Sequence, residues 1–169
     1  MSFDEQVALA FFMAQGKSQE ERDKLEEAMK NREKKYGYKR GSNASYTKPA
    51  DYAHLSENQF ADPVGYNYPT DDEHVRAALA YWNHMDNRKA YGPDGRAFIT
   101  ERIVRAALKK GVRVSYYPKD PDYRKLPENL KKQIGGYDSD SKKSMLDTEC
   151  FRAYQEAYFR ANGKQVPVF

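Results

Sequence analysis

The apolar residues in the central part of the chain recur with the period of an α-helix. One stripe repeats at spacings of three and four residues and consists of Val75, Ala78, Leu79 and Trp82. A second stripe follows a break rich in Gly and Pro and consists of Ile99, Ile103, Ala106 and Ala107. The pattern predicts a helical hairpin over 70–111, with helices at about 70–81 and 93–110. We expect Val75, Leu79, Trp82, Ile99 and Ile103 to be buried together in its core.

Local signals mark both ends of this hairpin. The sequence from Thr70 to Glu73 is a capping box, in which side-chain oxygens accept hydrogen bonds from the free amides of a helix start. Gly111 follows the last periodic residue and can adopt the left-handed conformation that ends a helix. These signals favour a hairpin of two well-delimited helices.

Two further helices are predicted before the hairpin. Residues 2–5 form a capping box ahead of an apolar stretch that reaches Met13, and Gly16 ends it. Because this short helix is apolar on nearly every side, we expect it to pack on another surface. A second capping box at 18–21 opens a strongly charged surface helix that runs to about residue 36.

The segment 37–67 has little periodicity of either kind. It is rich in Gly, Ser, Asn, Pro, Tyr and Lys, and an irregular stretch of this length is unusual inside a compact domain. We expect a linker, or an arm that is ordered on a neighbouring surface. The predicted partner-binding residues are Tyr38, Tyr46 and Tyr52 in this segment, together with Phe169 at the apolar end of the chain.

The part of the chain after the hairpin is predicted to be helical at its far end. Residues 112–117 alternate briefly, as in a short edge strand, and several prolines then keep the chain irregular. A last helix is predicted over 144–162. The predicted organisation is therefore N-terminal helices (1–36), the Tyr- and Lys-rich segment (37–67) and a helical domain (68–169). The fold class is mainly α, with a helical hairpin core, long irregular arms and at most a short edge strand.

Composition limits the size of the core and the location of the protein. Apolar residues make up 39% of the chain and charged residues 32%, and the mean hydropathy is −1.01, so much of the chain should be solvated or lie on a partner. Cys150 is the single cysteine, which excludes an internal disulfide and fits a reducing cytoplasm. No apolar run approaches the roughly 20 residues that a membrane helix needs, so no membrane contact is expected.

His74 is the strongest candidate for catalysis. It follows Asp71 and Asp72, and a carboxylate–histidine pair can act as a general base or bind a metal. The other histidines, His54 and His84, have no spacing that brings them together with it. We therefore expect a structural or capping role for His74, and we predict no catalytic, cofactor or metal site. A small enzyme with a dispersed site near His74 remains a second alternative.

Basic residues are concentrated on the second hairpin helix, over 96–113. Arg102, Arg105 and Lys109 share one side of that helix, and Arg113 follows it. Such a side could lie against nucleic-acid phosphates. The competing interpretation is an ordinary solvated face, which the small net charge of +4 favours.

Residues 60–114 resemble a small helical domain of unknown function that is widespread in bacteriophages and prophages. The motifs that carry the resemblance are Phe60-Ala61, Tyr68-Pro69, Asp72, the His74–Leu79 stretch and the Arg102–Gly111 stretch. The resemblance implies a phage origin and a helical hairpin. It implies no activity.

Phage origin sets the order of the functional expectations. A virion or head-associated assembly component comes first, acting by protein–protein interaction with other phage proteins or with copies of itself. A nucleic-acid-binding accessory protein that uses the basic helix is the alternative, and the small enzyme comes last. The expected location is the virion or the host cytoplasm.

Overall fold

The computed structural model describes residues 2–14, 16–117 and 119–136. The predicted C-terminal helix over 144–162 and Phe169 lie outside the described residues. Within them the fold is mainly α with little strand, as predicted. None of the described helices is long and apolar enough to cross a membrane.

The described helices are α1 (Phe3–Ala14), α2 (Gln19–Tyr36), α3 (Val75–Asn83), α4 (Met85–Arg88), α5 (Pro93–Lys109), α6 (Pro121–Arg124) and α7 (Glu128–Lys131). Short 3-10 turns cover Ala50–Tyr52 and Glu57–Gln59. The strands are β1 (Phe60–Asp62), β2 (Asn67–Pro69), β3 (Ser115–Tyr116) and β4 (Gly135–Gly136). β1 and β2 pair antiparallel, with Phe60 opposite Pro69. β3 and β4 pair in parallel, with Ser115 opposite Gly135. The sequence pattern indicated extended chain near β3 and missed β1 and β2.

The helical hairpin forms the core, and its predicted apolar residues are buried together. These residues are Val75, Leu79, Trp82, Ile99 and Ile103. The indole of Trp82 is fully buried, and its Nε1–H donates to Thr100 Oγ1 at 2.8 Å. This bond satisfies the one polar group of a large core side chain.

The first hairpin helix begins five residues later than predicted. α3 starts at Val75, and the backbone carbonyl of Asp71 accepts from the N–H groups of His74 and Val75. Thr70 does not cap the helix because its N–H and its hydroxyl both donate to the carbonyl of Gln59, at 2.7 and 3.1 Å. Thr70 therefore extends the β1–β2 pairing by one residue instead of capping α3.

The segment 37–67 is not a free arm or a linker. Phe60, Ala61 and Val64 are fully buried, and Tyr38 is only 4% exposed. The Tyr38 hydroxyl donates to Asp62 Oδ1 at 2.7 Å. Because its polar groups bond within the domain, an aperiodic segment becomes part of the core.

α2 also belongs to this domain rather than to a separate N-terminal unit. Met29 is fully buried, and Arg32 Nε donates to the carbonyl of Val64 at 3.0 Å. Arg40, which follows the helix, pairs with Glu26 and Glu33 at 2.8 and 2.9 Å. These contacts fasten the 37–67 segment along α2.

A buried ionic cluster joins the chain beyond the hairpin to α4. Arg88 is 1% exposed, and its Nη1 lies 2.8 Å from Asp120 and 3.2 Å from Asp122. Its Nε also donates to the carbonyl of Trp82 at 2.7 Å. Breaking a buried pair of this kind is costly because it leaves a charge without compensation.

The first helix, α1, exposes apolar side chains near its start. Phe3 is 79% exposed and Val7 is 53% exposed. The helix itself forms as predicted, since the Ser2 hydroxyl and the Glu5 carboxylate make the predicted capping bonds. Its first two turns therefore present apolar side chains to solvent.

Candidate functional site

A shallow cleft lies where the turn before α3 meets the end of α5. Its volume is about 460 Å³, and it is lined by Asp72, Val75, Arg76, Lys109, Lys110 and Val112. The hairpin brings these residues together, since α3 and α5 pack side by side. Its walls combine two buried valines with four charged side chains.

The cleft carries more positive than negative charge. Lys110 Nζ pairs with Asp72, and the hydrogen bond from this ammonium holds the pKa of the Asp72 carboxyl below its ordinary value. Arg76 and Lys109 are exposed and make no ion pair with any residue that the structure describes. Two uncompensated cations therefore face the cleft from different helices, and an anion is the ligand that they would attract.

A group of acidic and imidazole side chains stands beside the cleft. It consists of Asp71, Glu73 and His74, and one ligand atom from each residue lies within 4.8 Å of the others. His74 Nδ1 is 2.8 Å from Asp71 Oδ2. The Tyr52 ring packs on the imidazole in a T-shaped arrangement, with 5.3 Å between ring centroids. The ring of His74 is thus held in place from two sides.

The four predicted nucleic-acid-binding residues do not form one surface. Arg102 Nη2 donates to the backbone carbonyls of Asn58 and Phe60, both at 2.9 Å, so this side chain supports the 37–67 segment. Arg105 pairs with Glu101 at 2.8 Å. Lys109 lines the cleft, and Arg113 is exposed just beyond it. Lys110, which belongs to the same basic stretch, and Arg76, which was not predicted from the sequence, complete the basic lining.

The predicted partner-binding tyrosines make contacts inside the domain. Tyr38 is buried, which contradicts its role as a partner contact. Tyr46 accepts a hydrogen bond from Arg40 Nη1 on its hydroxyl, at 3.3 Å. Tyr52 packs in a T-shaped arrangement on Phe60, with ring centroids 6.2 Å apart, as well as on His74. These rings order the segment on its own domain.

Sequence reasoning missed the buried carboxylate of Asp62. This side chain accepts from the hydroxyls of Tyr38 and Tyr91, each at 2.7 Å, from Gly65 N–H at 3.0 Å and from Asn67 Nδ2 at 2.9 Å. Burial is the main cause, and the nearby charge of Asp62 the second, that raises the pKa of Tyr38 and of Tyr91 well above the ordinary tyrosine range. The most distant partners of Asp62, Tyr38 and Tyr91, are 24 and 29 positions away in the sequence, so no local motif predicts this network.

Residues 15–116 match the family of unknown function DUF6582, and the chain belongs to that family. No curated protein and no solved structure matches the chain. The matched region covers α2, the 37–67 segment, the hairpin and the cleft. It begins just after α1.

Proposed function

We propose that this DUF6582 protein acts by protein–protein interaction, as a bacteriophage assembly component that binds a partner through α1. The observation that carries the proposal is the exposure of Phe3 and Val7, at 79% and 53%. These residues stand four apart and share one side of the helix. The partner is another phage protein or a second copy of the chain, in the virion or the host cytoplasm.

Leaving this side of α1 in water has a free-energy cost. Burying a Phe or Val side chain contributes about 1.5–3 kcal/mol. A lone helix of 12 residues is marginal in water, so a receiving surface would also stabilise α1 itself. A helix that lays apolar side chains into an apolar groove is a common mode of recognition.

The position of α1 relative to the family match supports the same proposal. The match begins at residue 15, and α1 ends at Ala14. Among the residues whose burial the structure describes, the hydrophobic core begins at Met29 on α2. α1 is therefore an extension that can serve attachment without disturbing the core.

The test is capture of partners by the full chain in phage-infected cells, together with light scattering of the purified chain. Phe3→Glu and Val7→Glu place a charge on the apolar side and should remove the partner or convert a dimer to a monomer. Tyr81→Glu is the matched control, because Tyr81 is another large exposed side chain, at 63%, on a different helix. Association that survives both α1 changes, or that is lost equally with Tyr81→Glu, would refute the proposal.

The cleft favours nucleic acid as a second candidate function. It is supported by Arg76 and Lys109, which face the cleft without an ion pair in the described part of the chain. Phosphate contacts release counterions, so affinity for DNA or RNA should fall steeply with salt. Arg76→Glu with Lys109→Glu should abolish binding, whereas Arg105→Glu, at an already paired position, should have a smaller effect. The absence of binding to duplex or single-stranded DNA in low salt would remove this candidate.

A further inference from the structure

We propose that Asp71, Glu73 and His74 bind a divalent transition-metal ion, with Zn²⁺ as the representative case. The inference is independent of the interaction through α1 and of nucleic-acid binding. It rests on three side chains of ligand type whose donor atoms already lie within 4.8 Å of one another.

The geometry requires only small side-chain movements. Zinc binds imidazole nitrogen and carboxylate oxygen at about 2.0–2.2 Å, so tetrahedral ligand atoms stand about 3.4 Å apart. The donor atoms lie within 4.8 Å of one another, so the widest separation exceeds this spacing by about 1.4 Å at most, whereas His74 Nδ1 and Asp71 Oδ2, at 2.8 Å, are already closer than this spacing. Glu73 is exposed and can rotate towards the other two ligands. The Tyr52 ring packs on the His74 imidazole and keeps it beside Asp71, and a bound ion would replace the present Nδ1–Asp71 hydrogen bond.

The charges of the three groups suit a dication. Asp71 and Glu73 have no Lys or Arg partner in the part of the chain that the structure describes. The carboxylate between them in sequence, Asp72, is neutralised by Lys110 and points to the cleft instead. Two carboxylates therefore offset the charge of the ion, and they outweigh the opposing partial positive charge at the start of α3.

The donor set also selects the kind of metal. Ca²⁺ takes six to eight oxygen ligands and Mg²⁺ prefers oxygen with near-octahedral geometry, so an imidazole nitrogen disfavours both. One nitrogen and two oxygens suit Zn²⁺ and its neighbours Co²⁺ and Ni²⁺. Three protein ligands leave a fourth position for water. No metal site was predicted here from the sequence, because the spacing brings neither His54 nor His84 together with His74.

The experiment uses the full chain carrying Cys150→Ser, so that no thiol competes for metal. Zn²⁺ binding is measured by calorimetry, and Co²⁺ binding by its visible absorption bands. The expected result is one equivalent of metal, with His74→Ala and Glu73→Gln each weakening binding about tenfold or more. His54→Ala and His84→Ala are the matched controls, because both histidines are exposed, and they should bind as the parent does.

Three results would overturn the site. They are no binding, binding that is unchanged by His74→Ala and Glu73→Gln, and binding that is lost equally in the two histidine controls. The last two results would indicate an adventitious ion only. Thermal unfolding of each variant is recorded in parallel. Should His74→Ala fail to fold, Glu73→Gln decides the test, since Glu73 is exposed and has no partner to lose within the described chain. Phe3→Glu should bind metal normally, which separates this inference from the function proposed for α1.

Discussion

The 37–67 segment and α1 have opposite sequence patterns, and each behaves in the opposite way from its pattern. The segment is aperiodic and polar, yet it contributes Phe60, Ala61 and Val64 to the core. The helix is apolar on nearly every side, yet Phe3 and Val7 are mainly exposed.

The difference shows what decides whether a segment belongs to a domain. The polar segment reaches partners distant in the chain, such as Asp62 with Tyr91 and Arg102 with the carbonyl of Phe60. Satisfied buried polar groups offset the entropy of ordering an irregular chain. α1 satisfies its own backbone and needs a surface only for its side chains. Apolarity alone therefore does not place an element in the core of its own domain.

The largest expected effect is a contrast in amide exchange between the two regions. Within 37–67, Ser42 N–H donates to the carbonyl of Ala90, and Ser45 N–H donates to that of Gly65. These amides should open only with the domain, whereas an isolated short helix frays at almost no cost. We expect exchange in the isolated chain to be about a thousandfold slower in 37–67 than in α1, for a stability difference of about 4 kcal/mol. Equal exchange rates would restore the view of 37–67 as a free arm.

The second-largest effect is expected from removing a core side chain of the hairpin, against which the 37–67 segment is ordered. Trp82→Ala should lower the free energy of unfolding by about 3–5 kcal/mol. The rings of Tyr68 and Tyr91 rest on this indole, with centroids 5.3 and 5.7 Å away, so protection in 37–67 should fall as well. Tyr81→Ala, on the same helix but exposed, should change stability by about 0.5 kcal/mol or less. Urea unfolding measures both variants, and a Trp82→Ala cost near zero would show that the indole is not in the core.

The hairpin was predictable because its stripes repeat locally, and α5 and α2 have nearly the predicted bounds. The packing of 37–67 was not predictable, since Tyr38 and Asp62 are 24 positions apart and no period links them. The candidate site was found only in part. Lys109 was named from its helix face, whereas Arg76 joins it only through the pairing of α3 with α5. The role of Arg102 was missed because its acceptors are backbone carbonyls, which no residue pattern reveals.

Removing the buried carboxylate tests whether Asp62 orders the segment. Asp62→Ala leaves the hydroxyls of Tyr38 and Tyr91 without their acceptor, and we expect a cost of about 2–4 kcal/mol in unfolding free energy. Asp51→Ala is the control, because Asp51 lies exposed in the same segment. Equal stability of the two variants would show that the network does not fix the segment.

The ion pairs of Arg40 give the segment a pH dependence. Burial alone raises the pKa of Glu33, but the hydrogen bonds and charge of Arg40 outweigh it, and the pKa of both Glu33 and Glu26 lies below the ordinary 4.5. A lowered folded-state pKa stabilises the protein above pH 4.5, and this contribution is lost as the pH falls through the folded-state values. Arg40→Gln should cost about 1–2 kcal/mol near neutral pH and flatten the acid limb of the stability curve. An acid limb unchanged by the substitution would assign the acid sensitivity to other carboxyls.

The smallest effect on stability is expected from removing α1. Deleting residues 2–16 takes away an element outside the family match, with Phe3 and Val7 in water, so the unfolding free energy should change by about 0.5 kcal/mol or less. Met29→Ala is the contrasting variant, since Met29 is fully buried on α2 and its truncation should cost about 2–5 kcal/mol. The same deletion should abolish partner binding, because it removes the apolar side that the partner would cover. A deletion that destabilises the domain as much as Met29→Ala would show that α1 packs on its own chain. The contrast between the two regions would then disappear, and the interaction proposed for α1 would lose its support.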